Sequence, residues 1–308
     1  MFFSNSVSFD PKKDIPPLQD KVILVTGGTN GLGKQSVLEY SQHKPAEIWL
    51  AARNLERARA TADEIRRSVP DAPIKLLELD LASLESVEAA ARKFIEESDR
   101  LDILALNAGI MATPPGLTKD HYEVQFGTNH MGHALLTKLL IPVLEKTAKL
   151  PNTDVRIVAL SSKGHNWVPR GGIVFDSLKT DASGMGTYAR YGQSKLANIL
   201  FIRQLAKQYP QFTCVAVHPG VVHTNLAAGA TGSPWPFQHL VGLSRFVLTT
   251  VEDGVKNQLW ASVAKEVKNG EYYEPVGIGG KASAFAQNDE LAKKLWDWTE
   301  EELGKRGN

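Results

Sequence analysis

A tyrosine and a lysine stand four positions apart at Tyr191 and Lys195. In a helix this spacing places both side chains on one face. A free phenol titrates at about pH 10, and a neighbouring ammonium would favour the phenolate and lower the pKa of the phenol. A phenol tuned in this way could act as a general acid or base near neutral pH. The spacing alone is not specific, because Tyr40 and Lys44 repeat it in an earlier segment.

Three glycines follow an apolar run and open a segment with helical spacing. Gly27 allows a tight turn, Gly31 lets a pyrophosphate approach the backbone, and Gly33 lets the helix lie close to the sheet. Free N–H groups at the start of the helix would bind the phosphates. An ordinary glycine-rich turn is the alternative, but the strand–turn–helix context favours a dinucleotide-binding turn. The residues expected to contact the cofactor there are Gly27, Thr29, Asn30, Gly31 and Leu32.

Two basic residues near this turn indicate which dinucleotide is bound. Arg53 ends the second predicted strand, 20 residues after Gly33, where a fold that prefers NAD would carry an acid for the ribose 2′-hydroxyl. Its guanidinium suits a 2′-phosphate instead. Lys34 lies in the first helical turn, where a cation opposes the helix dipole unless a phosphate is near. Each could also be a solvated surface cation, but together they predict NADP(H) as the cofactor.

Two further strand ends carry candidate cofactor contacts. Asp80 and Leu81 end the third predicted strand and could frame the adenine, although Asp80 could instead be an ordinary strand-end residue before a helix that Ser83 caps. Small residues end the fourth predicted strand and would leave room for the cofactor ribose. These residues are Asn107, Ala108 and Gly109.

Short apolar segments alternate with helical ones along the chain, which predicts a parallel, doubly wound sheet with both faces covered. We therefore expect an α/β fold, with a single Rossmann-type domain over residues 18–308, about seven strands and an extended C-terminal region, after an extended lead-in over 1–17. The predicted strands are 22–25, 48–51, 74–79, 101–106, 155–160 and 212–217, and the predicted helices are 31–44, 54–68, 83–98, 118–149 in two pieces, 188–208 and an amphipathic segment over 291–298.

The fifth strand and the helix after it bring candidate catalytic residues to the ligand-binding edge of such a sheet. Tyr191 is preferred over Tyr40 because the helix of Tyr40 follows the glycine turn and has no reason to face a substrate. Ser161 and Ser162 end the fifth strand, where a hydroxyl could bind a carbonyl oxygen or simply cap a turn. Asn129, on the long helix before that strand, could bend the helix or hold a water.

These motifs together carry a resemblance. Over roughly residues 18–275 the chain resembles the short-chain dehydrogenase/reductase family, with every motif in the family's order. Segments 125–137, 191–198 and 217–224 are similar to the branch of retinol dehydrogenases and WW-domain oxidoreductases and to soluble fungal short-chain reductases. The matching motifs are Gly27 with Gly31 and Gly33, Asn107-Ala108-Gly109, Asn129, Ser162, Tyr191 with Lys195, and Pro219-Gly220.

The resemblance implies a role for each catalytic residue. Tyr191 would protonate a carbonyl oxygen as hydride arrives from the nicotinamide, and Ser162 would orient the carbonyl. Lys195 would lower the pKa of Tyr191 and bind the nicotinamide ribose, and Asn129 would anchor a water that relays protons to Lys195. The nicotinamide carboxamide would be held by Val222 and Thr224, just after Pro219 and Gly220. The resemblance also implies that Tyr191, Lys195, Pro219 and Gly220 contact the cofactor.

Two variable segments would form the substrate pocket. The 29 residues from Ser162 to Tyr191 form a longer interval than in many members of the family, and residues 225–246 form a loop rich in large apolar groups that could cover a pocket or pack as a surface flap. We expect an apolar, medium-sized substrate. The aromatic residues expected to contact it are Trp167, Tyr188, Trp235 and Phe237, and Phe175 and Met185 are expected to help shape the pocket.

Composition excludes several functional classes. The 35 basic and 34 acidic residues give a net charge of +1, which offers no basic stripe for nucleic acid. With 43% hydrophobic and 22% charged residues, the chain can bury a large core. The single cysteine, Cys214, excludes an internal disulfide and fits a cytoplasmic location. The chain shows neither an apolar run of about 18 residues nor a signal-peptide pattern, so we expect no membrane anchor.

Two other constellations have weaker support. His130 and His133 could form a metal pair on a helix, but no third ligand has a fitting spacing, so we expect no metal. The chain contains serine, histidine and aspartate but no Gly-x-Ser-x-Gly elbow, so a hydrolase has no local support.

The sequence thus predicts an NADP(H)-dependent oxidoreductase that acts on a small-molecule ketone, aldehyde or alcohol. The resemblance to fungal members suggests a natural-product ketone. Dehydration, epimerisation or double-bond reduction by the same fold remains an alternative, as does a non-catalytic regulator that senses NADPH. By the resemblance, a homodimer would pair through the helices that carry Asn129 and Tyr191, and a monomer stays open.

Overall fold

Seven strands form one parallel sheet, as the alternating apolar segments predict. The computed structural model describes residues 6–222, 230–232 and 249–305. The strands lie in the order β3-β2-β1-β4-β5-β6-β7, and every neighbouring pair is parallel. They are β1 (Val22–Thr26), β2 (Glu47–Ala52), β3 (Ile74–Glu78), β4 (Ile103–Leu106), β5 (Arg156–Leu160), β6 (Thr213–Val217) and β7 (Tyr272–Tyr273).

Helices cover both faces of this sheet, so its central strands are apolar on both sides. In β1, Val22 and Leu24 belong to one buried cluster, while Ile23 and Val25 belong to the other. This division follows from the alternation of side chains along a strand. The helices are α1 (Pro11–Asp14), α2 (Gly31–Ser41), α3 (Leu55–Ser68), α4 (Leu84–Glu97), α5 (Val124–Phe126), α6 (Gly132–Ala148), α7 (Thr187–Gln208), α8 (Val251–Gly254), α9 (Lys256–Val263) and α10 (Asp289–Gly304), with 3₁₀ turns over Lys163–Asn166 and Phe175–Ser177.

The order of the strands fixes where a ligand can bind. The chain builds outward from β1 to β3, then returns to the other side of β1 with β4. In such sheets the helices on either side of this reversal diverge, and ligands bind in the crevice at the carboxyl ends of the strands. The glycine turn, the residues after β4 and the start of α7 therefore share one edge of the sheet.

The helix that carries Asn129 is interrupted, as the prediction of two helical pieces over 118–149 requires. A π-helical turn, Gly127–Met131, joins α5 to α6. The helical part begins at Val124, later than predicted, because residues 117–123 form a small hairpin closed by a bridge between Leu117 and Glu123.

The lead-in is more ordered than an extended segment over residues 1–17. Pro11–Asp14 form a helical turn that Asp10 caps by accepting a hydrogen bond from the Lys12 N–H. Phe9 and Ile15 are buried in the cluster beside β1 and α9. The expectation of extended chain is wrong here because a proline at the first position of a helix is compatible with helical geometry.

The C-terminal helix α10 packs on the outer faces of α6 and α7. Phe201 of α7 stacks on Trp296 with ring centroids 5.4 Å apart. The ammonium of Lys138 on α6 lies 2.5 Å from the Glu300 carboxylate. Within the described part of the chain, no helix is long and apolar enough to span a bilayer.

We expect the purified chain to be monomeric, because α10 occupies the faces of α6 and α7 through which pairing is predicted. Light scattering after gel filtration should give a mass near 33.7 kDa. A cysteine placed at exposed Lys138 should form no disulfide-linked dimer, and the buried Cys214 will not interfere. A dimer that cross-links through this position would contradict the expectation.

Candidate active site

Tyr191 and Lys195 lie where α7 packs against the ends of β5 and β6. Both side chains are buried, with 3% of Tyr191 and 4% of Lys195 exposed. Their placement agrees with the preference for this pair over Tyr40 and Lys44. Tyr40 is also buried, but its hydroxyl donates to Ser262 on α9. Helix α2 ends at Ser41, so Lys44, with a positive φ of 54°, lies outside it.

Burial raises the pKa of the Tyr191 phenol to about 12, and Ser162, which lies beside the phenol, has the smaller, opposite effect on that pKa. The 3₁₀ turn after β5 approaches the phenol closely. A Cβ at Gly164 would lie 2.9 Å from the Tyr191 ring, and a Cβ at Gly192 would lie 2.6 Å from the Gly164 carbonyl oxygen. The two glycines therefore let the strand end and the helix bring Ser162 and Tyr191 together.

That Lys195 lowers the pKa of Tyr191 stays a prediction. The Nζ of Lys195 lies 5.8 Å from the centre of the Tyr191 ring and donates to the carbonyl oxygen of Leu160 at 3.0 Å. Burial lowers the pKa of Lys195 to about 8. Burial disfavours the charged form of both groups, and this effect outweighs their mutual attraction. Tyr191 consequently holds its proton at neutral pH.

The two serines at the end of β5 have different roles. Ser161 donates to the carbonyl oxygen of Lys195 at 2.8 Å and so fixes α7 against the strand. Ser162 accepts from the Gly164 N–H at 3.0 Å and faces Tyr191. Only Ser162 can therefore reach a group bound at the phenol. Ser162 also caps a turn, which is the alternative role predicted for a strand-end serine.

Asn129 uses its whole side-chain amide to hold neighbouring elements. Its Oδ1 accepts from the Ile110 N–H at 2.8 Å, and its Nδ2 donates to the Ile110 carbonyl at 2.9 Å and to the Ser194 hydroxyl at 2.9 Å. A Cβ at Gly109 would lie 3.2 Å from Asn129 Oδ1 and 3.3 Å from Lys195 Nζ. Asn129 therefore joins the segment after β4 to α7, and its predicted water contact stays a prediction.

His133 extends this network to the glycine turn, a link the sequence analysis missed. Burial lowers its pKa to about 4, so the ring is neutral. Nδ1 lies 3.1 Å from the carbonyl oxygen of Asn129, which can only accept, so Nε2 accepts from the Thr26 hydroxyl at 3.0 Å. The Thr26 oxygen in turn accepts from the N–H groups of Asn107 and Ala108. The i to i+4 spacing from Asn129 is the signal that could have indicated the link.

The glycine turn has the features that a dinucleotide requires. Gly27 and Gly31 have φ of +69° and +48°, and a Cβ at Gly33 would lie 2.3 Å from the Gly27 carbonyl oxygen. Asn30 caps α2, whose first turn contains no acidic residue. The Oδ1 of Asn107 is buried beside the turn with no partner among the described residues. An unpartnered acceptor next to free helix N–H groups fits a bound nucleotide.

The two basic residues differ in their availability for a 2′-phosphate. Arg53 is exposed directly after β2, at the end predicted for a 2′-phosphate contact. Lys34 instead pairs with Glu64 at 2.6 Å, and this pairing lowers the pKa of that carboxylate. Exposed ion pairs are weak, so Lys34 can exchange Glu64 for a phosphate at small cost.

Asp80 lies at a strand end before a helix that Ser83 caps, which is the alternative to an adenine contact. Its carboxylate accepts from the Ala82 N–H at 3.1 Å, and the hydroxyl of Ser83 caps α4 by accepting from the Ser86 N–H. Leu81 is buried at 5% exposure. Contacts of Asp80 and Leu81 with adenine remain predictions.

The segment after β6 begins with Pro219 and Gly220, which has a φ of +85°. Val222 then forms a parallel bridge to Thr249. This bridge holds the predicted carboxamide-binding segment beside the sheet edge. Thr224 lies outside the described residues.

Trp167 and Tyr188 form an aromatic rim near Tyr191. Their rings meet edge to face with centroids 5.8 Å apart, and 50% of Trp167 is exposed. A half-exposed tryptophan beside a buried phenol is consistent with an apolar substrate contact. The predicted contacts Trp235 and Phe237, and the loop over 225–246 apart from residues 230–232, lie outside the described residues.

Phe175 does not shape this rim, contrary to expectation. Its ring lies 6.2 Å from that of Trp298 on α10, and the Lys294 ammonium lies 4.5 Å from its centre. Phe175, between Ser162 and Tyr191 in the sequence, is partly buried against the nearest apolar surface, which is the C-terminal helix. Met185 lines a cleft beside Tyr188, and its contribution to a substrate pocket stays a prediction.

A buried ion pair next to Tyr191 was also not predicted from the sequence. Arg190 is 1% exposed, Glu123 is fully buried, and their charged atoms lie 2.9 Å apart. Burial raises the pKa of Glu123 even though Arg190 and the Phe126 N–H oppose this shift. Removing one partner of such a pair typically costs about 3–5 kcal/mol. Glu123 and Arg190 are 67 positions apart in the sequence, so no local spacing connects them. Only the presence of a charged residue within each apolar stretch could have indicated the pair.

The histidine pair is structural. His130 lies 3.1 Å from the Thr299 hydroxyl on α10, and His133 bonds Thr26 and Asn129. Among residues 6–222, 230–232 and 249–305, no group of three or more potential ligands could hold a metal ion.

Comparison with known proteins agrees with the motifs. A family model described as short chain dehydrogenase matches residues 21–166. The short-chain dehydrogenase/reductase drtF of Aspergillus calidoustus is 39% identical over 307 residues, which cover 95% of this chain and 96% of the relative. Human retinol dehydrogenase 13 is 38% identical over 283 residues, which cover 90% of this chain and 82% of the relative.

A solved structure shares the fold. The crystal structure of a short chain dehydrogenase from Shigella flexneri, complexed with NADP, superposes with a TM-score of 0.64 at 23% sequence identity. The match covers 84% of this chain and 98% of that chain.

Replacing Lys195 by methionine should stabilise the fold at pH 7, because a buried ammonium is removed while its volume is kept. The pKa falls from 10.5 to about 8 on burial, so below pH 8 the folded chain bears the whole cost of the charge. That cost is lost as pH rises from 8 to 10.5. We expect Lys195→Met to raise the free energy of unfolding by about 2 kcal/mol at pH 7 and by much less near pH 10.

Urea unfolding at both pH values measures this difference. Leu196→Met is the control, because it changes a neighbouring buried side chain without changing charge. A Lys195→Met chain that is no more stable than the parent at pH 7 would show that the ammonium is adequately solvated.

Proposed function

Because the chain belongs to the short-chain dehydrogenase/reductase family, we propose that it is an NADP(H)-dependent oxidoreductase that reduces a ketone or aldehyde, or oxidises the matching alcohol. One observation carries this proposal: the turn after β5 brings the Ser162 side chain beside the buried phenol of Tyr191, at the sheet edge that the glycine turn shares. A phenol in this position has a proton to give and a hydroxyl beside it to orient the acceptor.

The proposed cofactor site follows from the turn and the neighbouring strand ends. The glycine turn and the first N–H groups of α2 would hold the pyrophosphate, and Arg53 would bind the 2′-phosphate. That the Shigella flexneri protein of the same fold is complexed with NADP supports this choice. NADPH, when bound, would supply a hydride to the carbonyl carbon and leave as NADP⁺.

The proposed chemistry on this chain is proton transfer and orientation. Ser162 holds the substrate oxygen, and Tyr191 donates its phenolic proton to that oxygen as negative charge develops there. The Lys195 ammonium stabilises the resulting phenolate. The phenolate then regains a proton from solvent, which reaches it through the groups that surround Lys195. Asn129 holds the segment with Gly109 in its place beside Lys195 for this step.

The proposed substrate is apolar and of medium size. The exposed Trp167 and its contact with Tyr188 favour such a ligand. A natural-product ketone belongs to this class, and the similarity to fungal drtF is compatible with it. The single cysteine, buried and unpaired, is consistent with a cytoplasmic location.

Purified protein should oxidise NADPH in the presence of apolar ketones, quinones or aldehydes. A panel of such substrates is assayed with NADPH and with NADH in parallel. The rates show which substrate shape and which cofactor the protein prefers. Turnover with NADPH well above NADH is the expected outcome. Tight NADPH binding without turnover of any member would favour a cofactor sensor instead, and products other than an alcohol would favour dehydration, epimerisation or double-bond reduction.

Tyr191→Phe should lower kcat about a thousandfold, because the general acid is lost. The dissociation constant for NADPH, measured by fluorescence, should stay the same because the phenol does not hold the phosphates. Tyr40→Phe is the control, since it removes the hydroxyl of the other Tyr-x-x-x-Lys pair and should leave turnover intact. Undiminished turnover in Tyr191→Phe would sink the mechanism.

Arg53→Ala should raise the KM for NADPH about tenfold to a hundredfold, the usual worth of charge-assisted hydrogen bonds to a phosphate. The KM for NADH should not change, because NADH lacks the 2′-phosphate. Arg67→Ala, at the far exposed end of α3, controls for loss of general positive charge. Equal effects on both cofactors would assign the 2′-phosphate to another residue.

A further inference from the structure

We propose that Arg190 is a positioning residue that shapes the substrate side of the active site by tying together segments 112–114, 185–187 and 230–232. We call these three segments the substrate wall. The inference rests on the proposed function, since it assigns the wall to the same site. Arg190 itself is 1% exposed and paired with Glu123, so it acts through the wall rather than on the substrate.

The guanidinium of Arg190 holds two of the segments directly. It donates to the Thr113 carbonyl at 2.8 Å and to the Pro114 carbonyl at 3.4 Å. Its Nε donates to the Met185 carbonyl at 3.4 Å. Glu123 fixes the guanidinium from the other side at 2.9 Å. A planar fork of donors suits this task, because one group can satisfy several carbonyls in different directions.

A second layer of hydrogen bonds locks the same segments. The Thr187 hydroxyl donates to the Thr113 carbonyl at 2.8 Å, and Gln125 bonds both the Ala112 N–H and the Thr187 carbonyl. Ala112 has a φ of +50°, which is unfavourable for a residue with a Cβ. Such a conformation persists only where surrounding contacts hold it. The network around Arg190 provides those contacts.

Segment 230–232 docks on this platform. The Gly232 N–H donates to the Ala112 carbonyl at 2.8 Å. A Cβ at position 232 would lie 2.5 Å from the Thr113 carbonyl carbon, so only glycine allows this approach. Arg190 therefore sets the place of Gly232 through Ala112 and Thr113.

The wall borders the site next to Tyr191. Pro115, Met185, Thr187, Tyr188, Arg190 and Gly232 line a cleft of about 370 Å³. Arg190 directly precedes Tyr191, and Tyr188 lies one helical turn before it on the same face. The wall segments reach this cleft from the loops after β4, before α7 and after β6. No residue of the three wall segments is a predicted cofactor contact, so we expect the wall to affect the substrate and not NADPH.

Steady-state kinetics with saturating NADPH tests the proposal. We expect Arg190→Met to raise the KM for the carbonyl substrate by about tenfold or more while kcat changes by less than about threefold. Arg190→Lys should give an intermediate KM, because it keeps the charge but loses the fork. The dissociation constant for NADPH should stay the same in both variants.

Arg156→Met is the matched control. Arg156 is also buried, at 4% exposure, and bonds Asp154 and the Ala261 carbonyl at the opposite edge of the sheet. Arg156→Met should also lose stability, although less than Arg190→Met because Asp154 is half exposed, and it should leave KM unchanged. Equal KM effects in Arg156→Met and Arg190→Met would overturn the proposal, because both would then be general consequences of instability.

Gly232→Ala keeps the proposal testable if Arg190→Met does not fold. The added methyl should displace 230–232 from Thr113 and raise KM in the same way, with Arg190 intact. Hydrogen exchange of the Ala112 and Gly232 amides gives a readout without turnover: exchange should accelerate in Arg190→Lys and not in Arg156→Met. If exchange of these two amides is unchanged in Arg190→Lys, Arg190 does not hold the wall segments together and the proposal is overturned. A parent chain that turns over no carbonyl substrate would overturn the proposed function instead.

Discussion

The burial of the Lys195 ammonium is the constraint on which the rest of the site depends. An ammonium removed from water must find hydrogen-bond acceptors or lose its proton. Here the Leu160 carbonyl at the end of β5 accepts from it, and Asn198 of the same helix donates to that carbonyl as well. α7 must therefore pass directly over the end of β5. This passage is what brings Tyr191 beside Ser162.

Close approach of backbones makes that passage possible. Gly164 and Gly192 allow the turn after β5 to touch α7, and Gly109 allows the segment after β4 to reach Lys195 and Asn129. Gly33 does the same between α2 and the glycine turn. The site is thus assembled largely from main chain and small residues, which leaves little conformational freedom to be lost when a ligand binds.

Much of the fold and the cofactor side could be predicted from sequence, because those features are local. Strands show as apolar runs, and the glycine turn occupies consecutive positions after β1. Tyr191 could be separated from Tyr40 by its place after the fifth strand. The pKa of Tyr191 could not be predicted, because spacing reports neighbouring charge and not burial, and burial dominates. Phe175 was misplaced because α10, which covers it, lies far along the chain.

The substrate side depends on contacts that no local pattern reveals. Arg190 and Glu123 meet across 67 positions, and Gly232 reaches Ala112 across a longer interval still. Cofactor recognition needs a fixed geometry, which backbone N–H groups and glycines can provide in any member of the fold. Substrate recognition needs a wall whose position can differ between members while the chemistry stays the same. A buried ion pair beside Tyr191 meets the second need, since it anchors the loops of the wall to the helix that carries the proposed proton donor.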